Sequence, residues 1–404
     1  MKKNNNLKNI LLLVAIVISI FFILVFLPNT PIWNIVVLLL ILSVLIFVHE
    51  GGHFLVAKKC EVHVYEFALG MGPKILTFKR KNDPTEYTLR AFPIGGFCAM
   101  AGEEGEDDEN LPKDKFMCNK SKTKRILILV AGVTMNFITA IILLFMIGFF
   151  YGSTEQSSVI GSVQSGSPAE NAGLKKNDII IGCNGYKVNT WDKLTIVTNL
   201  KNKNDYYTYK IKHEDGSVDE YKIVPDTYAV FDDKTIKLDD STTLESVLKE
   251  YNKKEKEVTI TKLVGISASS EIHKGFGYAI KYAFSKFGSI VSTMILILGS
   301  LFTGKLGLSA LSGPVGMYSV VGTVAQAGFA NLIYLMAYLS INLGVLNILP
   351  FPAFDGGRVL FVLIEAITRK KVDSKIEGYF HSIGFILIML LMLYITFQDV
   401  LRLF

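Results

Sequence analysis

The stretch FVHEGGHF, Phe47–Phe54, decides how this chain is read. It closes eighteen residues, Pro31–Val48, that carry no charge, and then sets two histidines and a glutamate within five positions. Ionisable groups in so apolar a setting are costly unless they are paired or bound to a metal. His49 and His53 stand four apart, which on a helix puts both imidazoles on one face, a turn from each other. H-E-x-x-H is the spacing in which two histidines share one zinc and the glutamate serves as general base. Alone the pattern is weak, because three fixed residues in five recur by chance, and two ordinary helix histidines near a membrane surface would also satisfy it. A catalytic zinc takes three protein ligands and one open position, so a third ligand has to be found elsewhere.

Composition places the chain in a membrane. Half of its 404 residues are hydrophobic, 19% are charged, and the mean hydropathy is +0.38. Charge-free runs cover Asn9–Val48, split by Pro28 and Pro31 into helices about 9–27 and 31–57, then Ile126–Tyr151, Leu306–Phe354 and, but for one histidine, Gly378–Gln398. A span needs about 20 apolar residues, so four or five spans are expected. The first run follows a basic MKKNNNLKN, but its apolar core is longer than that of a secretory signal and FLPNTPIW offers no small-x-small cleavage site, so it reads as an uncleaved span. The net charge of +6 is spread out and marks topology; no nucleic-acid partner is expected. Cysteines 60, 98, 118 and 183 lack metal spacing and read as packing residues.

Basic flanks set an orientation. SKTKR (121–125) precedes the Ile126 run, whereas Gly152–Leu174 has no lysine or arginine; KK (58–59) and TRKK (368–371) behave like SKTKR. The expected arrangement has the N-terminus in the cytoplasm, 59–125 cytoplasmic with a membrane-associated β-hairpin, 152–270 outside, an interfacial amphipathic region over 271–325, a membrane helix over 326–370 and a last one over 376–404. In the outer region VIGSVQSGSPAENAGLKKNDIIIGCNGYKV, Val159–Val188, alternates a strand, a capped short helix and a strand ending in an Asn-Gly turn. It resembles a PDZ domain of the bacterial protease-associated type, with Asn177 where that pattern has glycine. The Lys-, Asp- and Thr-rich stretch 226–262 reads as an insertion before KLVGI closes this α+β domain.

The missing ligand is expected in NILPFPAFDGGRVL, Asn347–Leu360, where Asp355 ends forty-nine charge-free residues. Pro350 and Pro352 cannot continue a helix, and Gly356-Gly357 admits close backbone approach. Broken backbone at membrane depth is tolerated where it lines a cavity. H-E-x-x-H followed by N-x-x-P-x-P-x-x-D-G-G resembles the site-2 protease family of intramembrane metalloproteases, in its PDZ-bearing bacterial branch of sigma-factor regulators. FALGMGPKI (67–75), RAFPIGGFCAMAGE (90–103), AGVTMNF (131–137) and LSGPVG (311–316) follow in the family's order. The chain departs from it in the added span 9–27 and in a single PDZ-like module.

The resemblance implies a polytopic α-helical membrane protein with a PDZ-like domain outside the cell, and a zinc metalloendopeptidase that cuts single-span membrane proteins already shortened by another protease. His49, His53 and Asp355 would hold Zn2+. Glu50 would take a proton from the attacking water and give it to the leaving amine. Asn347, Pro350 and Pro352 would meet the substrate, and the loop at Gly70 and Gly72 would pair with it in extended form. The lipid bilayer of a bacterial cytoplasmic membrane is the expected setting. Anti-sigma factors, remnant signal peptides and pheromone precursors all suit as substrates. A non-catalytic PDZ-bearing scaffold is the rival reading; a metal transporter would need polar groups along several helices. His63, His213, His273 and His381 lack ligand spacing, Glu365 is expected to pair with Arg369 one turn on, and the acidic run 102–110 reads as a solvated loop.

Overall fold

Thr30 opens the first helix: its hydroxyl oxygen accepts the Trp33 N–H, and Pro31, with no N–H to satisfy, takes the first helical position. This helix, α1, runs Pro31–Lys59 unbroken through the H-E-x-x-H stretch. The structure, a computed structural model, describes residues 30–103, 110–154, 156–202, 204–231, 234–239, 241–253, 258–370, 372 and 374–403. The expected span 9–27 and most of the acidic run lie outside them. Contacts divide the chain into two units, 1–147 with 307–404, and 148–306.

In the first unit α1 leads into β1 (Val64–Lys79) and β2 (Glu86–Met100), which pair with each other, and then into α2 (Lys122–Phe150). Gly70 and Gly72 (φ +86° and +83°) bend β1, and Gly95 (φ +87°) bends β2, a conformation only glycine adopts at little cost. The doubled strands therefore meet twice, Phe67 pairing with both Cys98 and Tyr87. Ala57 of α1, Val64, Phe67, Cys98 and Met100 of the sheet, and Ile128 and Leu129 of α2 close into one apolar cluster that fixes the sheet beside the histidine-bearing helix.

The second unit holds β3 (Ile160–Val163), α3 (Pro168–Asn171), β4 (Ile179–Cys183), β5 (Tyr186–Lys187), α4 (Trp191–Asn199), β6 (Tyr207–Lys212) and β7 (Val218–Ile223). Its sheet runs β5-β4-β6-β7 over a core of Ile160, Ala169, Ile180, Leu194, Val197 and Tyr209. Ser167 caps α3, and Asn177 takes the left-handed conformation (φ 73°) expected of a residue standing in for glycine. The stretch 226–262 forms β8 (Asp226–Phe231), β9 (Lys234–Leu238), α5 (Leu244–Glu250) and β10 (Thr259–Leu263), a separate sheet β10-β8-β9 packed through Ala229, Phe231 and Val247. β11 (Ile266–Ala268) then returns to pair with β3. Within 271–325 the chain forms α6 (Phe276–Phe302), a continuous 27-residue helix whose buried Lys286 bonds both carboxylate oxygens of Asp192 at 2.9 Å.

Back in the first unit come α7 (Pro314–Gln326), α8 (Phe329–Ile348), α9 (Asp355–Thr368) and α10 (Ser374–Leu403). The stretch 326–370 is thus two helices, broken over 349–354 by Pro350, Pro352 and Ala353 in a left-handed conformation (φ 72°). Gly356 lets α9 begin against the end of α8, since a Cβ there would stand 2.3 Å from the Ile348 carbonyl oxygen. Asp399 of α10 caps α7, accepting the Gly313 and Gly316 N–H groups at 2.8 Å each. Glu365 pairs with Arg125 of α2 (2.5 Å) and not with Arg369, correcting the helical pairing expected from sequence. Glu365 is 5% exposed and faces inward, where a buried guanidinium satisfies it, while Arg369 has left helical geometry at the end of α9. Six helices among the described residues, at 31–59, 122–150, 276–302, 308–326, 329–348 and 376–402, are long and apolar enough to cross a membrane. The four or five spans expected counted 9–27, outside these residues, took 306–354 as one composite run where Gly328 now divides two helices, and read 276–302 as interfacial. The chain is a polytopic helical membrane protein.

Candidate metal centre

His49 and His53 lie one turn apart on α1, 7% and 6% exposed, and Asp355 arrives at the first position of α9. The Nε2 atoms of the two rings are 3.3 Å apart, and Asp355 Oδ2 is 3.2 Å from the first and 3.3 Å from the second. A tetrahedral zinc with bonds of about 2.0–2.1 Å separates its ligands by roughly 3.3–3.4 Å, so the triangle of donors has the size a zinc ion requires. Hydrogen bonding explains it less well. Oδ2 is a buried atom without a well-formed hydrogen bond among the described residues, although two ring nitrogens face it.

Each ring is held from behind. His53 Nδ1 donates to the Ile128 carbonyl at 2.8 Å, leaving the Nε2 lone pair toward the other ligands. His49 Nδ1 lies 3.2 Å from the Asn136 side-chain amide. Both partners sit on α2, and between them Gly132 leaves the space the rings fill: a Cβ there would be 2.4 Å from His53 Nε2 and 2.7 Å from His49 Cε1.

Glu50 opens onto a cavity of about 770 Å³ shared with His53, Asp355, Cys98, Arg358 and His381. Two of the three donor residues, His53 and Asp355, thus border a chamber large enough for an extended peptide segment, and a carboxylate able to act as base stands at its wall.

The expected site residues do not all converge. His49, His53, Glu50 and Asp355 meet, and Asn347 joins them with Nδ2 3.4 Å from His49 Nε2. Pro350 and Pro352 form the break before Asp355, and Pro352 packs against Gly384 of α10. Gly70 and Gly72 lie at the bend of β1, where Arg90 donates to the Gly72 carbonyl at 2.7 Å; the cavity is lined instead by Phe97–Met100 of β2. Several residues join the site that were not expected there. Arg358 bonds Glu103, which takes that residue out of the solvated acidic loop. His381 Nδ1 accepts the Ala353 N–H at 3.0 Å, steadying the left-handed residue two before Asp355. Gly132 and Asn136 share the i, i+4 spacing of the histidines, and an asparagine in the middle of an uncharged helix was the available signal.

The model of peptidase family M50 matches residues 37–391. A Clostridium acetobutylicum protein provisionally named a zinc metalloprotease is 36% identical over 91% of this chain and 97% of its own. The regulator of sigma-W protease RasP of Bacillus subtilis is 32% identical over 92% of this chain and 99% of its own. The zinc metalloprotease RasP of Shouchella clausii is 31% identical over 90% and 98%. With a zinc-sized His-His-Asp triangle and a glutamate beside it in a polytopic helical membrane protein, this chain belongs to peptidase family M50, the site-2 proteases, and is an intramembrane zinc metalloprotease.

Proposed function

We propose that this protein hydrolyses a peptide bond inside the membrane-spanning segment of a single-span protein, such as an anti-sigma factor or a remnant signal peptide, after another protease has shortened it outside the cell. The observation that carries the reading is the triangle of His49 Nε2, His53 Nε2 and Asp355 Oδ2 with Glu50 on the wall of the adjoining cavity. The chemistry a bound zinc supplies there is Lewis-acid polarisation of the scissile carbonyl and activation of water near neutral pH. The Glu50 carboxylate takes the proton of the attacking water and delivers it to the leaving nitrogen. Asn347 Nδ2 donates to a carbonyl of the substrate backbone. A helical carbonyl is shielded in its own ladder, so the substrate unwinds first. The bent strand at Gly70 and Gly72 pairs with it in extended form, and Pro350 and Pro352 keep the helix break open as its path.

The N-terminus and 59–125 face the cytoplasm, and 152–270 stands outside as a PDZ-like module that filters shortened substrates or reads their tails. The strand, capped helix and Asn-Gly turn of 159–188 support that assignment, as does the return of β11 to β3. The rival is a scaffold of the same architecture that binds clients without cutting them.

Purified protein in detergent, mixed with truncated single-span substrates, separates the two. Glu50→Gln lowers cleavage by about 10²–10⁴ while the thermal midpoint stays close to wild type. A chelator abolishes cleavage and added zinc restores it. Wild type and Glu50→Gln equally inert, yet both retaining the substrates on a column, would install the scaffold.

A further inference from the structure

We propose that Asn136 is a positioning residue of the metal centre: its amide oxygen accepts the Nδ1–H of His49 and so aims the Nε2 of that ring at the ion. The inference rests on the zinc reading above.

His53 already displays the arrangement. Its Nδ1 is 2.8 Å from the Ile128 carbonyl, which can only accept, so the proton is on Nδ1 and the lone pair on Nε2. The Nε2 of His49 occupies a corner of the same triangle. A neutral ring that binds through Nε2 carries its proton on Nδ1 and needs an acceptor there. The Asn136 amide faces that nitrogen at 3.2 Å. Written with Nδ2 toward His49, the amide suits a bare Nδ1, and it leaves Oδ1 buried without a partner among the described residues. Oxygen and nitrogen of an amide are nearly interchangeable in position, so a half turn meets the metal-ready ring with an acceptor.

Asn136 is 0% exposed in an apolar helix, where an idle amide is disfavoured. The bland account, polar glue between helices, is already served by another atom. Ser340 of α8 donates to the Asn136 backbone carbonyl at 2.8 Å, a bond that any residue at 136 retains. The side chain is therefore left for His49. Gly132 one turn earlier leaves room for both rings, and Asn136 holds one of them.

The test uses full-length protein in detergent, zinc competed against a chromophoric chelator, and the visible spectrum of the cobalt-substituted protein. Asn136→Leu keeps the volume and removes the acceptor; Asn136→Asp keeps an acceptor. The expected result is zinc binding weakened about 10–100-fold in Asn136→Leu, with an altered cobalt spectrum, and near wild type in Asn136→Asp. Metal-free Asn136→Leu melts close to metal-free wild type. Unchanged zinc affinity and cobalt spectrum in Asn136→Leu overturn the inference, and so does Asn136→Asp as weak as Asn136→Leu. If a variant does not fold, ¹⁵N-histidine spectra of zinc-loaded wild type decide. A slowly exchanging Nδ1 proton on His49 sustains the inference, and a bare or metal-bound Nδ1 overturns it. Wild type that fails to bind zinc defeats the functional reading itself, whereas wild type that binds beside an unchanged Asn136→Leu defeats only this step.

Discussion

Gly132→Ala puts one methyl group where the structure has no room for it. The added Cβ would lie 2.4 Å from His53 Nε2, 2.7 Å from His49 Cε1 and 2.8 Å from His49 Nδ1. Relaxed contacts of this kind begin near 3.4 Å, so a ring nitrogen has to retreat by about 1 Å. Neither ring retreats freely, because Ile128 and Asn136 hold them from behind at 2.8 and 3.2 Å. Metal–ligand distances tolerate only about ±0.2 Å, so the shift removes a zinc bond or expels α2 from its place. Misplacement of about 1 Å at a catalytic centre reduces rate by on the order of 10²-fold. Helix propensity pulls the other way, since Gly→Ala in a helix stabilises by about 1 kcal/mol. The signature is therefore an undiminished helix with zinc affinity and cleavage both lost, read by chelator competition and by turnover of a single-span substrate. An alanine variant that binds zinc and cleaves as wild type does would refute the geometry from which the site is built.

Legibility in the sequence followed the physics of each signal. Charges are penalised inside a membrane, so His49, Glu50, His53 and Asp355 stood out against uncharged runs, and their coming together was readable although 306 positions separate the outermost of them. Pro350 and Pro352 announced the helix break for the same reason: proline cannot donate to a helical ladder. What the sequence concealed depends on register between helices. Nothing local says that Glu365 meets Arg125, 240 positions away, in preference to Arg369 one turn on. Burial decides it, because an inward carboxylate needs a partner that is inside as well. Gly132 was likewise mute, because a glycine in an apolar helix reads as packing until two imidazoles are found in the space it leaves. The stretch 276–302 read from sequence as part of an interfacial amphipathic region, and its Lys286 is satisfied by Asp192 of α4, which no periodicity discloses.

Two further outcomes follow from groups outside the metal centre. Glu365→Leu strands the buried Arg125 and removes the acceptor of the Val372 N–H, so stability in detergent falls by about 3–5 kcal/mol; adding Arg125→Met recovers most of it, and a double variant no better than the single would refute the pairing. Cys183, on β4 in the core of the second unit, is 1% exposed, and burial pushes its thiol up to about 12. An unfolded thiol ionises near 8.5, so the folded pKa is the higher one. The stabilisation is then whole below about pH 8.5 and is lost as pH rises from there toward 12, at up to about 1.4 kcal/mol per pH unit. Maleimide labelling with mass spectrometry follows this directly, with exposed Cys118 as internal reference. At pH 8 Cys118 labels and Cys183 does not; Cys183 begins to label only where rising pH or added denaturant opens the unit. Equal labelling of the two at pH 8 would mean that the core around Ile180, Tyr209 and Ile211 does not close over the thiol, and the pH argument would fall with it.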